Sequence, residues 1–176
     1  MRAALTLEAS DIAQVGLRRY LLTLNERAQN VMPAWDSVLN IIYEAEQRLF
    51  AAEGKTEEHS KWIGLSDRYD TWKKKHYPGM PILTLTGRFR GSMTDPSGRH
   101  TEFRQPHRLV WGSKHDVDGY DLGAIHAEGR KEPPAMPARE PIRITRQNVD
   151  DFANVILDHI LDIHLDRPRQ AWEIGY

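Results

Sequence analysis

The amino-acid sequence predicts an α+β fold: an N-terminal helical hairpin, a small antiparallel or mixed β-sheet with a β-hairpin, and a long C-terminal helix packed on the sheet. Apolar residues recur at helical spacing near both ends of the chain. The middle of the chain carries short apolar runs separated by turn residues, which is typical of strands. Because the strands are grouped between helices instead of alternating with them, a parallel α/β sheet is not expected. A sheet of so few strands leaves an edge that must be covered or paired.

The first part of the chain, residues 10–53, is predicted to form the helical hairpin. Ser10 is a candidate N-cap for the first helix. Apolar residues then recur at helical spacing, namely Leu17, Leu21, Leu24 and Ala28. Pro33 suits the first turn of a second helix and Gly54 its end. The apolar face of that helix comprises Trp35, Val38, Leu39, Ile42, Leu49 and Phe50.

Residues 61–145 form the predicted core region, after a polar loop at 53–60. Ser66 can cap a short helix that ends before the proline-rich "YPGMP". Strands are predicted at residues 81–85, 101–105, 107–112 and 140–145. The second and third of these read as a hairpin, preceded by the turn signal "DPSG". Residues 115–123 are predicted to be a loop.

The final predicted helix spans residues 146–164 and is followed by a tail at 165–176. Its expected apolar face comprises Val149, Phe152, Ala153, Ile156, Ile160 and Ile163. The tail carries Trp172 but is too short for its own core. All of these parts are expected to belong to one domain, residues 1–176.

Composition narrows the possible classes of function. The chain has 176 residues, no cysteine and a net charge of −1. The lack of cysteine excludes disulfide scaffolds, thiol nucleophiles and cysteine-ligated zinc. The near-zero charge gives no overall attraction to nucleic acid or anionic lipid. Apolar runs are short and no signal peptide is evident, so we expect a soluble protein kept in a cytoplasm, without a membrane contact.

The eight histidines raise the hypothesis of a metalloenzyme. His159 and His164 lie five residues apart, which places them about 140° apart on a helix. No HExxH pattern and no nucleotide-binding glycine motif occurs. His126 and Glu128 lie on a segment too short to fix a catalytic pair. We therefore expect no catalytic residue, no metal site and no cofactor.

Charge is unevenly distributed. Residues 88–115 contain six basic residues and only two acidic ones. The basic residues are Arg88, Arg90, Arg99, Arg104, Arg108 and Lys114. On the last helix Asp151, Asp158 and Asp162 fall within about 40° of one another. These faces are either solvated surface or the two sides of a contact between successive subunits, a geometry that closes into a ring. A further alternative is a DNA-binding module that uses residues 88–115.

Several motifs occur in a fixed order: "WIGLS" from Trp62, "PILTLTGRFRGSMT" from Pro81, "LVWGS" from Leu109, "IHAEG" from Ile125 and "MPAREP" from Met136. In this order they resemble the phage virion morphogenesis family. That family groups tail-completion proteins of tailed phages with related neck and minor tail proteins. The resemblance extends from about residue 62 to residue 145, and the last helix also lies where the family has one.

The resemblance implies a non-enzymatic structural protein of the virion that completes the tail at its head-proximal end. It implies a homo-oligomeric ring, expected to be a hexamer, that contacts the tail tube and the neck or head-completion proteins, with genomic DNA passing through its lumen. The protein would be made in the host cytoplasm. In this interpretation the residues that make subunit or partner contacts are Arg88, Arg90, Arg104, Arg108, Arg139, Asp151, Asp158, Asp162 and Trp172.

The same resemblance gives the "IHAEG…MPAREP" segment a structural role as a loop. Ile125 is expected to pack inward, Gly129 and Pro137 to shape the chain, and His126 to form a local hydrogen bond. Arg139 is expected to bridge backbone carbonyls or a neighbouring subunit. Gly87 is expected to permit a tight strand-to-helix turn. The sequence departs from the family pattern at "YDLGAIHAEG", where Gly123 and Ala127 replace more common residues and the preceding loop is longer.

Overall fold

A computed structural model describes residues 9–131 and 135–162, with side chains from residue 14 onward. The helices are α1 (Ala9–Gln29), α2 (Trp35–Ala51), α3 (Asp67–His76), α4 (Arg88–Thr94), α5 (Leu122–Glu128) and α6 (Arg146–Leu161), with a 3₁₀ turn at Met32–Ala34. The strands are β1 (His100–Gln105), β2 (Arg108–Ser113), β3 (Asp116–Val117) and β4 (Tyr120–Asp121). They form two antiparallel two-stranded sheets, β1–β2 and β3–β4. The predicted α+β class is confirmed.

Helix α2 is the central element of the core, and the predicted apolar face of this helix is buried. Its first half packs against α6 and β2 in a cluster that contains Val31, Trp35, Val38, Leu39, Ile42 and Tyr43. Its second half packs in a cluster that contains Leu49, Phe50, Trp62, Phe89 and Met93. Gly54 ends this segment at φ +85°, where an added Cβ would lie 2.6 Å from the Trp62 ring. The predicted stop at Gly54 is thus confirmed.

The two N-terminal helices are present, but they do not pack side by side as a hairpin. Helix α1 packs mainly against α6, and α1–α2 is not among the main packed pairs of elements. The reason is that the apolar face of α2 is already occupied by α4, α6 and β2. Only the last turns of α1 are half-buried, at Thr23, Leu24, Arg27 and Ala28. The other residues of α1 from residue 14 onward are exposed.

The predicted hairpin at 101–112 is confirmed as β1 and β2, with His100 opposite Ser113 and Gln105 opposite Arg108. The segment 115–123 is predicted to be a loop, but it contains the β3–β4 ribbon and the start of α5. Asp118 and Gly119 both have positive φ at its turn, as a tight two-residue hairpin turn requires.

The predicted strands at 81–85 and 140–145 are wrong. Residues 81–85 form turns, with Leu83 at φ +58° and the Thr84 N–H donating to the Pro81 carbonyl. Residues 140–145 join neither of the two sheets that the structure describes, and side chains bond the backbone at both ends of the segment. The Glu140 carbonyl accepts from the Trp62 indole at 2.8 Å. Apolar alternation alone did not distinguish these anchored loops from strands.

The last helix, α6, begins with a capping box in which Thr145 and Asn148 exchange hydrogen bonds. It is predicted to pack on the sheet, but it packs mainly against α2 and α1. A single hairpin offers too little surface, so α6 reaches β2 only through the cluster it shares with Leu109 and Trp111. Its packed apolar residues are Phe152, Val155, Ile156 and Ile160. Val149 and Ala153 are exposed, contrary to prediction, and Ile163 lies outside the described residues.

Candidate functional site

Four motif segments that are distant in sequence converge on one pocket of about 930 Å³. We call it the motif pocket. Each of these four segments contributes wall residues, namely Leu65 and Ser66, Gly87 and Arg88, Ile125 and His126, and Pro137 and Arg139. Apolar side chains such as Leu122 and Met136 complete the wall. The order of the motifs was visible in the sequence, but their convergence was not.

The "IHAEG" motif is a short helix, which corrects the predicted loop. The Asp121 carboxylate caps α5 by accepting from the N–H groups of Gly123 at 2.8 Å and Ala124 at 3.2 Å. Gly129 ends α5 at φ +72°, and its N–H donates to the Ile125 carbonyl. Ile125 is half-buried and faces the motif pocket, as expected. An Asp cap and a glycine stop eight residues later could have identified this helix from the sequence.

Gly129 also permits a close backbone approach, because an added Cβ would lie 2.7 Å from both the Ala138 nitrogen and the Met136 oxygen. We expect Gly129→Ala to lower the free energy of unfolding by about 2 kcal/mol. Urea unfolding followed by circular dichroism measures this loss. Gly112→Ala is the matched control, since nothing lies within 4 Å of the added carbon there. Equal losses in the two variants would contradict the explanation.

Arg139 is buried and ties three segments together. Its Nε donates to the Ile63 carbonyl at 2.6 Å and its Nη2 to the Gly64 carbonyl at 2.7 Å. Its backbone N–H donates to the His126 carbonyl. Of the two expected roles, bridging backbone carbonyls is the one seen. With only 4% of its surface exposed, Arg139 is not placed to contact a neighbouring subunit.

His126 lacks the expected local hydrogen bond at Nδ1, which is buried without a partner. Its ring instead packs against Phe89, with centroids 5.6 Å apart. Burial, and secondarily the positive charge of Arg139, lowers the pKa of His126. The ring is therefore neutral at pH 7. No carboxylate orients Nδ1, so the described surroundings do not build the catalytic pair considered for His126 and Glu128.

A second polar atom in the pocket wall is unsatisfied. Thr84 is 4% exposed, and its hydroxyl has no hydrogen-bond partner. Nearby, Lys73 is also buried, but its Nζ donates to the Pro81 carbonyl at 2.6 Å. Sequence reasoning missed both residues, because it assigned residues 81–85 to a strand. Gly87 follows this turn at φ +79° and starts α4, so the predicted sharp entry into a helix is present without the strand.

The basic residues of 88–115 do not form one continuous surface. Arg104 pairs with Asp36 at 2.6 Å and with Glu102, so two carboxylates neutralise it. Arg108 is exposed at the turn end of β2, opposite Gln105. Other members line a groove of about 670 Å³, which contains Arg88, Arg99 and Lys114 together with Asp95 and Asp116. Arg90 is half-buried on α4.

The acidic residues of α6 are already partly engaged within the chain. Asp162 pairs with Arg27 of α1 at 2.9 Å. Asp151 accepts from the Gln147 amide at 2.9 Å, and Asp158 is half-buried. The predicted contact residue Trp172 lies outside the described residues.

Two exposed apolar faces were not predicted as sites. The α1 stripe consists of Leu17, Tyr20 and Leu21, which are 58%, 52% and 55% exposed. The α6 strip consists of Val149, Ala153, Leu157 and Leu161, all of them exposed. Large contiguous apolar surfaces of this kind mark interaction sites in folded proteins.

Within the described ranges no group of three or more histidine or acidic side chains is arranged to hold a metal ion. The same ranges contain no helix that is both long and apolar enough to cross a bilayer. No protein-family model matches this chain, and neither the curated proteins nor the solved structures contain a match.

Proposed function

We propose that this protein is a non-enzymatic structural protein that assembles into a ring and completes the tail of a tailed phage at its head-proximal end. The observation that carries the proposal is the exposure of α1. Five of its large apolar side chains, Val15, Leu17, Tyr20, Leu21 and Leu22, are 52% to 66% exposed. A helix that is apolar on more than one side is normally buried. An assembly partner is the simplest source of that burial.

The unpaired sheet edges support the same proposal. Strands β1 and β2 pair only with each other among the described strands, so each has a free edge. Free edges are normally covered or paired. The order of the motifs supports the choice of a tail-completion protein among assembly proteins.

In the proposed particle the ring is a hexamer between the tail tube and the neck or head-completion proteins. DNA passes through its lumen, the protein is made in the host cytoplasm, and the finished ring is part of the virion. No enzymatic step, cofactor or membrane contact belongs to this function. The buried Arg139 and the converging motifs then serve as a rigid scaffold for the contact surfaces.

Light scattering on the purified protein, alone and mixed with cognate tail tubes, tests the proposal. We expect a discrete oligomer, either alone or on the tubes. A monomer at every concentration that also ignores tubes would contradict it. Should that monomer bind duplex DNA with a strong salt dependence, the alternative DNA-binding module applies. Its site would be the groove lined by Arg88, Arg99 and Lys114.

Charge reversal on α6 tests the predicted acidic contact face, and circular dichroism checks that each variant still folds. Asp158→Lys is expected to impair ring formation, because this residue belongs to the predicted acidic contact face. Asp162→Lys also breaks the ion pair with Arg27 inside the chain. The mass of each variant in solution gives the result, and normal assembly of Asp158→Lys would remove the acidic-face hypothesis.

A further inference from the structure

We propose that the α1 stripe of one copy packs on the α6 strip of the next copy, and that this head-to-tail contact builds the ring. The inference rests on the proposed function and specifies its subunit interface. It assigns a role to α1, which the motif resemblance does not cover.

The α1 stripe is a continuous face. By the helical step of 100° per residue, Leu17, Tyr20 and Leu21 fall within about 100° of one another. Leu24 lies on the same face one turn further on and is half-buried, and α1 packs against α6 of its own chain. The stripe is therefore continuous with the half-buried end of α1.

The α6 strip is the matching face. Val149, Ala153, Leu157 and Leu161 recur every four residues and fall within about 120° of one another. Val149 and Leu157 are 54% and 50% exposed. The strip runs over three helical turns beside the face that packs on α2. It offers the long, shallow surface against which a second helix packs.

The charges beside the two faces include the exposed Arg146 at the start of α6 and one complementary pair. Arg18 lies about 60° from Leu21 on α1, and Asp150 lies about 20° from Leu157 on α6. Both are exposed, and neither has an ion-pair partner in the described part of the chain. A cation that borders one apolar face and a carboxylate that borders the other favour this pairing over α1 with α1, which would bring two Arg18 side chains together.

The contact within one chain shows that these two helices are compatible. Arg27 of α1 pairs with Asp162 of α6, and His159 of α6 hydrogen-bonds the Asn30 carbonyl. The exposed stripe and strip lie on different helices of each copy. A contact between them is heterologous, so it repeats from copy to copy and closes when the rotation permits.

Two double variants test this geometry. The stripe variant carries Leu17→Ser and Leu21→Ser, and the strip variant carries Val149→Ser and Leu157→Ser. All four side chains are at least half exposed in the single chain, so folding is expected to persist, and circular dichroism checks it. Each variant alone should be monomeric. A mixture should form a 1:1 complex and stop there, because each variant retains one intact half of the contact.

The charge pair gives an independent readout. Arg18→Glu should weaken self-association roughly tenfold, and adding Asp150→Lys in the same chain should restore it. Analytical ultracentrifugation of all variants, with and without tail tubes, measures both effects.

The results separate this inference from the proposed function. Wild-type rings together with unaltered rings of both variants would overturn the α1–α6 contact and leave the tail-completion proposal standing. Monomeric variants whose mixture stays monomeric would also overturn it, because a head-to-tail contact must be restored in the mixture. A strip variant that still self-associates, beside a stripe variant that does not, would overturn it in favour of an α1–α1 contact. A wild-type chain that remains monomeric and ignores tubes would overturn both proposals.

Discussion

Replacing Glu46 by glutamine is expected to stabilise the protein at pH 8 by roughly 3–5 kcal/mol and to change little at pH 4.5. Glu46 lies on α2 with 1% of its surface exposed, and its Oε2 atom has no hydrogen-bond partner. Burial raises its pKa from 4.5 to about 8. The folded protein therefore keeps this carboxyl protonated at pH 7.

The sign of the pH dependence follows from proton binding. Between pH 4.5 and about 8 the folded state holds a proton on Glu46 that the unfolded state has released. The stability contributed by this group is thus fully present below pH 4.5 and is lost as the pH rises to about 8. Glutamine resembles the protonated carboxyl in shape and does not titrate, so this loss disappears in the variant.

Urea unfolding of wild type and Glu46→Gln across pH 4.5–8.5 measures the effect, with the difference between the two curves as the readout. Glu44→Gln is the matched control, because Glu44 is exposed on the same helix. If the free energy of unfolding changed with pH in the same way in wild type and Glu46→Gln, burial would not be raising the pKa of Glu46.

Arg139→Lys is expected to lower the free energy of unfolding by about 2 kcal/mol, and Arg139→Met by about 4 kcal/mol. The guanidinium satisfies two carbonyls from adjacent residues, Ile63 and Gly64, through different nitrogen atoms. A lysine ammonium is a point donor and cannot reproduce this fork. Methionine leaves both carbonyls without their donor.

Thermal unfolding of the two Arg139 variants checks the ranking, since about 2 kcal/mol corresponds to a fall of roughly 4–8 °C in a chain of this size. Arg146→Lys is the control, because its side chain is exposed at the start of α6. An Arg139→Lys variant as stable as wild type would show that one donor is enough to hold residues 63–64 near α5.

Helical periodicity and turn chemistry predicted the parts of the fold that local interactions determine. The apolar face of α2, the β1–β2 hairpin and the left-handed Gly54, Gly87 and Gly129 are all present. Each follows from a spacing rule or from the backbone freedom of glycine. These rules use neighbouring residues only, so they work without the tertiary structure.

Long-range contacts explain where sequence reasoning failed. Residues 140–145 have the alternation of a strand, but the Trp62 indole and the Arg143 guanidinium hold this segment in an irregular path. Helix α1 has a regular apolar face, yet no pattern within it says whether α2, α6 or another copy covers that face. Periodicity reports that a face is apolar and not what it packs against.

The candidate site was likewise predicted only in part. The sequence motifs include Gly87, Ile125, His126, Pro137 and Arg139. All five line the motif pocket. No sequence pattern indicated that Thr84 and Lys73 are buried. Thr84 lies in the turn at residues 81–85 and Lys73 donates to the Pro81 carbonyl of that turn, but this segment has the sequence pattern of a strand. The basic residues of 88–115 are near one another in sequence, but the two ends of the β1–β2 hairpin separate Arg104 from Arg99.

We propose that this chain caps the end of a tail tube as a ring, and electron microscopy of purified tail tubes mixed with the protein tests this proposal. We expect a ring at one end of each tube, and no ring on tubes mixed with the stripe variant. Bare tube ends at saturating protein, or protein bound along the whole tube without a ring, would contradict it.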